Sequence, residues 1–519
     1  MTRFTINRRS LLGGAGAVAA MAGLGIKPEQ VLAADGGSLK VRMVADIQVL
    51  DPGYMIGGAE TTTLYACMPR LAVPVFENDT WGWKPSEYVD KISQDDETHI
   101  SFTLKQGLMW SNNIGELTAD DVKYSFERIL KSDWSARFPT LDHVDLKDKY
   151  SGTIVLKSPF AGTWLMGIAS ESGSILPKAA MVKLKDEKFT TELPGTLGPY
   201  TVASWTPKQK LVLKADPNWK GTKPDFDEIQ IIDIEDGKAA ELAFEAKEIA
   251  LASIPTETAA RYSKQPPADS KLVKLPSPLY TWLGCNTQNP KFTDIRVRKA
   301  IQRAVDVESI LAGAYGGIAP QAHGVVPEGI LGYRDKSKFS YNPDEAKDLL
   351  KQAGVSNLAV DIKVLSGETA QVTAGQIVQS NLNDVGLNAT VTTVDSGPYW
   401  NLGLESKGDA WKTLELWIMR FRCSPDPADA MQWFKKDQVG VWNWERWTDA
   451  EFEKLWDEGL KETDAAKRAA IYQRMQEIME DTGAYTWITF DPWDYASSNS
   501  INPGFDPGGE IRAELIKKA

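Results

Sequence analysis

Short apolar–polar alternations dominate the first half of the chain. Leu39-Lys40-Val41-Arg42-Met43-Val44 repeats with period two, as a half-buried strand does, and Leu50-Asp51-Pro52-Gly53 closes the segment with turn residues. The same pattern predicts strands at 99–104, 153–156, 210–214 and 228–234, with Gly198-Pro199-Tyr200 turning into another. Leu279–Asn286 is short and apolar, and is read as the strand on which the chain passes between folding units.

Helical spacing takes over in places. Thr118-Ala119-Asp120-Asp121 is a capping-box variant that starts a helix whose expected buried face is Val122, Tyr124, Ser125, Phe126 and Ile129. A second helix is predicted over 238–247. From Asp294 the helices lengthen, with Val297, Ile301, Ala304 and Val305 along one side. Asn342-Pro343-Asp344-Glu345 carries an Asn cap and proline at the first helical position, and Ala353-Gly354 ends that helix. Further helical segments are predicted at 370–385 and, as one unit, at 450–481. Strands and helices alternating in this way argue for α/β lobes.

At 519 residues the chain exceeds one compact core and should form two or three units. Acidic residues outnumber basic ones, 70 to 58, and no basic stripe stands out, so nucleic acid is not an expected partner. Three scattered histidines, His99, His143 and His323, give little basis for a metal centre or a catalytic relay. No metal or cofactor is expected. Cys67, Cys285 and Cys423 permit at most one disulfide.

The N-terminus reads as a targeting segment. Arg8-Arg9 precedes a Gly/Ala-rich apolar run that ends near Gly25, and the small residues Ala33 and Ala34 follow. This is the pattern of a twin-arginine export signal over 1–34, too short and glycine-rich for a membrane span. No cysteine lies at the cleavage region to be lipidated, so a soluble periplasmic protein is expected.

Several segments together resemble one family. Leu117-Thr118-Ala119-Asp120-Asp121-Val122 through Arg128, Gly198-Pro199-Tyr200 with Asn218-Trp219, Phe292-Thr293-Asp294-Ile295-Arg296-Val297-Arg298, and Tyr341-Asn342-Pro343 through Ala353-Gly354 occur in a characteristic order. They resemble the dipeptide/oligopeptide/nickel-type periplasmic solute-binding proteins of ABC transporters (bacterial extracellular solute-binding protein family 5). The resemblance implies an α/β, two-lobed periplasmic binding protein fold of type II, the large peptide-binding class, with an extra subdomain in lobe I. Lobe I would comprise 35–283 plus 488–519, with the subdomain at roughly 71–195, and lobe II 284–487. The implied function is capture of a small or peptide-like solute between the lobes by a monomer, and its delivery to an inner-membrane ABC permease. No chemistry is performed on the solute. The signature residues themselves are mostly caps and helix faces, which identify the family and not its ligand.

Residues 417–427 are similar to that family's W-x-x-D-Y-P-D-P tract. Pro425-Asp426-Pro427 matches, whereas the first aspartate, which in the family's peptide binders pairs with the ligand ammonium, falls on Cys423. The resemblance makes Trp417, Arg420, Arg422 and Cys423 the expected ligand floor. Two arginines and no acceptor would suit an anionic, opine-like or sugar-conjugated solute better than a free-amine peptide. The competing reading pairs the arginines with lobe acids such as Asp426 or Asp429.

Eight of the 18 tryptophans lie between Trp400 and Trp456. Most should be core, but Trp442-Asn443-Trp444 precedes a helix start, and alternation there would set both indoles on one side. Trp400, Trp442, Asn443 and Trp444 are therefore candidates for stacking on a ligand. Two alternatives stay open: an oligosaccharide-binding receptor of the same fold, and a secreted glycoside hydrolase, for which no motif is found. A non-transporting, chaperone-like peptide binder would look the same in sequence.

Overall fold

The computed structural model describes residues 37–519, save 56–57, 78–79, 276–277, 367 and 492. The expected twin-arginine signal at 1–34 lies outside the described residues. Among them, no helix is long and apolar enough to cross a membrane.

Two mixed sheets organise the chain. The first has seven strands in the order Ser270–Leu275, Trp493–Ser498, Leu251–Ser253, Ser38–Met43, Glu228–Asp233, Lys210–Ala215 and Tyr200–Thr206. Ser38–Met43 sits at its centre and runs parallel to both neighbours, with Leu39, Val41 and Met43 buried as their alternation requires. The second sheet has five strands in the order Asn388–Val394, Ala359–Leu365, Leu416–Arg422, Leu279–Cys285 and Tyr485–Thr489. A four-stranded antiparallel sheet, Val89–Gln94, His99–Leu104, Ser151–Leu156 and Leu141–Leu146, packs into the same core as the seven-stranded one.

The sheets mark two lobes. Strand Leu279–Cys285 pairs along its whole length inside the five-stranded sheet, so the chain passes between lobes ahead of Leu279, not at 283/284. It returns between Thr489 and Trp493. Two short connections between sheets are the arrangement that lets lobes rotate as bodies.

Local chemistry explains most boundaries. The Asp121 carboxylate reaches back to accept the Thr118 amide at 2.9 Å and starts helix Ala119–Ile129. The Asn342 side chain accepts from the Glu345 amide, and helix Pro343–Ala353 ends on Gly354 at φ +68. The segment expected as one helix over 450–481 is two, Ala450–Lys461 and Ala465–Asp481. Asp464 caps the second by accepting from the Lys467 amide, which ends any continuous run.

The core of lobe II holds an unusual acid. Glu445 is fully buried among Trp282, Trp417 and Tyr485, and accepts hydrogen bonds from the Trp282 indole at 2.8 Å and the Tyr485 hydroxyl at 3.3 Å, with no ion pair among the described residues. Burial pushes its carboxyl up to about 8, so it is held largely protonated at neutral pH. A folded-state value above the unfolded one means that stability falls as pH rises from about 4.5 towards 8. Thermal melts from pH 5 to 8 should therefore show the wild type losing several degrees relative to Glu445→Gln. Parallel pH profiles would contradict this assignment.

Candidate functional site

Strand Leu416–Arg422 ends at the seam between the lobes, and its two faces behave differently. Trp417, Met419 and Cys423 belong to one lobe II core, with Phe421 packed against it, while Leu416 and Ile418 belong to the other. Successive side chains of a strand point to opposite faces, so Arg420 and Arg422 continue the second face and cannot form one floor with Trp417.

Arg420 is bound within its own surroundings. Its guanidinium pairs with Asp491 at 3.0 Å and Glu368 at 2.9 Å, not with Asp426 or Asp429. Burial alone would lower its pKa, and the two carboxylates more than offset that. Arg422, two residues on, crosses the seam. It donates to the Gly508 carbonyl at 2.6 Å and pairs with Glu510 at 3.3 Å, both on the far side. A Cβ at Gly508 would displace the Arg422 guanidinium, so this contact depends on glycine there.

Cys423 is 3 % exposed, and its thiol donates to the Pro278 carbonyl at 3.4 Å. Burial, with Asp429 nearby, holds the thiol well above its ordinary range, so it is a neutral wall and no counter-charge. Asp426 caps helix Pro427–Met431 and receives both guanidinium nitrogens of Arg468 at 2.8 and 2.9 Å, with both partners buried. Asp429 accepts from the Ser424 amide and faces Arg137 of lobe I at 3.6 Å.

The tryptophan candidates lie behind this surface. Residues 441–445 form a turn, not an extended segment, so the expected alternation does not operate. The Asn443 amide nitrogen donates to the Phe434, Lys435 and Trp447 carbonyls, and its oxygen accepts from the Arg446 amide. Trp444 is 1 % exposed and packs edge-on against buried Trp417. Trp442 and Trp400 are half-buried and contact each other, and Trp442 also meets Trp433 at 6.5 Å.

A cavity of about 360 Å³ opens at the seam. Of the expected residues it is lined by Arg422 and Cys423; Trp417, Arg420, Trp400, Trp442, Asn443 and Trp444 are not in its wall. Sequence reasoning missed Arg137, Glu171, Trp134 and Asp506, which face it from lobe I, and Trp433, which faces it from lobe II. Asp506-Pro507-Gly508-Gly509 is a turn carrying an acid, the only local signal available; nothing in the sequence joins it to Glu171.

Comparison with known proteins gives the family and the fold. The model for the bacterial extracellular solute-binding proteins, family 5 (middle), matches residues 86–441, and the chain belongs to that family. Among curated relatives, it is 26 % identical over 469 residues to the probable D,D-dipeptide-binding periplasmic protein DdpA of Escherichia coli K12, covering 87 % of this chain and 88 % of that one. It is 25 % identical over 422 residues to the dipeptide-binding protein of the same organism, covering 75 % and 77 %. Among solved structures, the substrate-binding protein CtaP of Listeria monocytogenes superposes with TM-score 0.81 at 20 % identity, covering 93 % and 99 %. AgaA from A. tumefaciens R10, in complex with agropinic acid, gives 0.75 at 21 %, again covering 93 % and 99 %. The fold is thus the two-lobed type II one, and the relatives are substrate-binding transport proteins.

The Pro-Asp-Pro tract has a structural role that can be measured. Arg468→Ala leaves Asp426 buried and unpaired and should cost about 3–5 kcal/mol of unfolding free energy in denaturant titration. A loss below about 1 kcal/mol would mean that the pair is not what anchors the tract.

Proposed function

We propose that the protein is the substrate-binding component of an ABC uptake transporter. In this reading it is exported by its twin-arginine signal and acts in the periplasm as a monomer. It encloses a peptide-like solute between its lobes and delivers it to an inner-membrane permease without altering it. The observation that carries this reading is a cavity bracketed by two contacts across the seam, Arg422 to Gly508 and Glu510, and Arg137 to Asp429. Such contacts exist only when the lobes are together, so a solute that favours closure and a permease that recognises the closed form are coupled.

The volume, about 360 Å³, is small for a pocket of this kind and suits a solute of di- or tripeptide size. The dipeptide-binding relatives support the same class. An opine or sugar conjugate, as held by AgaA, fits less well: a carboxylate needs a free guanidinium, and both arginines in the wall are already engaged. Neither the oligosaccharide nor the hydrolase alternative gains a specific observation.

Native mass spectrometry of the protein as purified should find one retained small solute per chain, released unchanged on denaturation. Turnover of that solute, or its absence under every purification condition, counts against the receptor reading. With the solute in hand, calorimetric titration should show Arg422→Ala weakening binding by about tenfold or more, because closure loses a contact. Arg420→Ala should stay within about threefold, since it lies outside the cavity wall. The reverse ranking would move the site along the same face of the strand, towards Glu368 and Asp491.

A further inference from the structure

The charge of the cavity wall does not match the arginine-rich tract that leads into it. Four carboxylates, Asp133, Glu171, Asp429 and Asp506, line the cavity against two guanidiniums, Arg137 and Arg422. Both guanidiniums are engaged across the seam, Arg137 with Asp429 and Arg422 with Glu510 and the Gly508 carbonyl. What remains is negative and concentrated on lobe I.

Two of those acids lack a full set of partners. Asp506 is 5 % exposed; one of its oxygens accepts from the Glu510 amide at 2.8 Å, and the other has no hydrogen-bond partner among the described residues. Glu171, in the turn Glu171–Gly173, forms no side-chain hydrogen bond or ion pair among the described residues. Its carboxylate lies close enough to Asp506 and Arg422 to act on both electrostatically. A nearly buried carboxylate with an open oxygen, whose nearest cation Arg422 is shared with Glu510, is costly, and a cation arriving in the cavity relieves that cost. Cys423, neutral and opposite, offers the ligand no competing charge.

We propose that the solute carries a free ammonium group and that Glu171 and Asp506 of lobe I receive it. This rests on the receptor reading above and narrows it to amine-bearing solutes, such as short peptides with an unblocked N-terminus. Recognition from lobe I also fixes an order of events, because the amine can dock before lobe II closes over it.

Titration of the site follows from its surroundings. Burial, with Glu510 and Glu171 adding to it and Arg422 opposing, pushes the Asp506 carboxyl up to about 7; Arg512, Tyr65 and Tyr495 also lie within range. An ammonium favours the ionised form, so binding should draw a proton off Asp506 near neutrality. Affinity should then rise about tenfold from pH 5.5 to 7.

The test uses the full mature chain, an equimolar dipeptide library and the same library N-acetylated, with retained species read by native mass spectrometry and titrated by calorimetry. The expected result is retention of free-amine members alone, with release of a fraction of a proton at pH 7 when buffers of different ionisation enthalpy are compared. Glu171→Gln and Asp506→Asn should each cut affinity by tenfold or more, with circular dichroism melts confirming folding. Equal retention of acetylated members overturns the inference, as does undiminished affinity in a folded double variant. If neither library is retained but a solute from periplasmic extract is, the amine assignment fails and the receptor reading stands. If nothing is retained from either source, both fail. Should the variants not fold, proton release by the wild type decides alone, its absence overturning the proposal.

Discussion

The contact on which the rest of the arrangement depends is Arg422 lying against Gly508. A long cationic side chain leaves the end of a central strand in one lobe and meets a bare carbonyl in the other, at 2.6 Å. The contact needs glycine at 508, and it needs glycine again at 58, where a Cβ would run into the Glu510 carboxylate that completes the pairing. It also needs the two sheets to be close enough for their ends to touch. Arg137 facing Asp429 provides a second tie across the seam, and the cavity lies at the same seam. The seam joins these polar contacts, which water can replace, to a local apolar one, since Phe160 and Met166 of lobe I pack into a lobe II core. Each lobe interior, by contrast, is fastened by far more extensive apolar packing.

That contrast is what a reversible receptor requires. Within lobe II the charges are locked: Arg468 on Asp426, Arg334 on Glu480, and Glu445 held protonated among tryptophans. Opening the seam disturbs none of them. Buried pairs inside the lobes keep each body rigid, so that solute binding is converted into rotation and not into local melting.

The sequence was most legible where one residue acts on its neighbours. Asp121 reaching back to Thr118, the Asn342 cap, and Gly354 in the left-handed region are each set by three or four adjacent positions, and all occur where the pattern placed them. Family membership was legible for the same reason, because its motifs are local. The long buried helix Gly58–Cys67 was not, since it is buried on all sides and carries almost no amphipathic signal. The site was only half legible. Arg420 and Arg422 look equivalent in sequence and share a face of one strand, yet one finds Glu368 and Asp491 while the other finds Gly508 and Glu510. Those partners come from loops far along the chain, and no spacing rule joins them. The tryptophans misled for a related reason: Asn443 and Trp444 sit in a turn whose hydrogen bonds draw them inward.

The central claim is that a solute holds the two lobes together across this seam. Small-angle X-ray scattering on the wild-type chain tests it most directly, comparing protein stripped of its solute by unfolding and refolding with the same protein after the solute is restored. A larger radius of gyration is expected for the stripped protein, with a return to the compact value on rebinding. Identical scattering in the two states, with binding verified in the same samples, would contradict it.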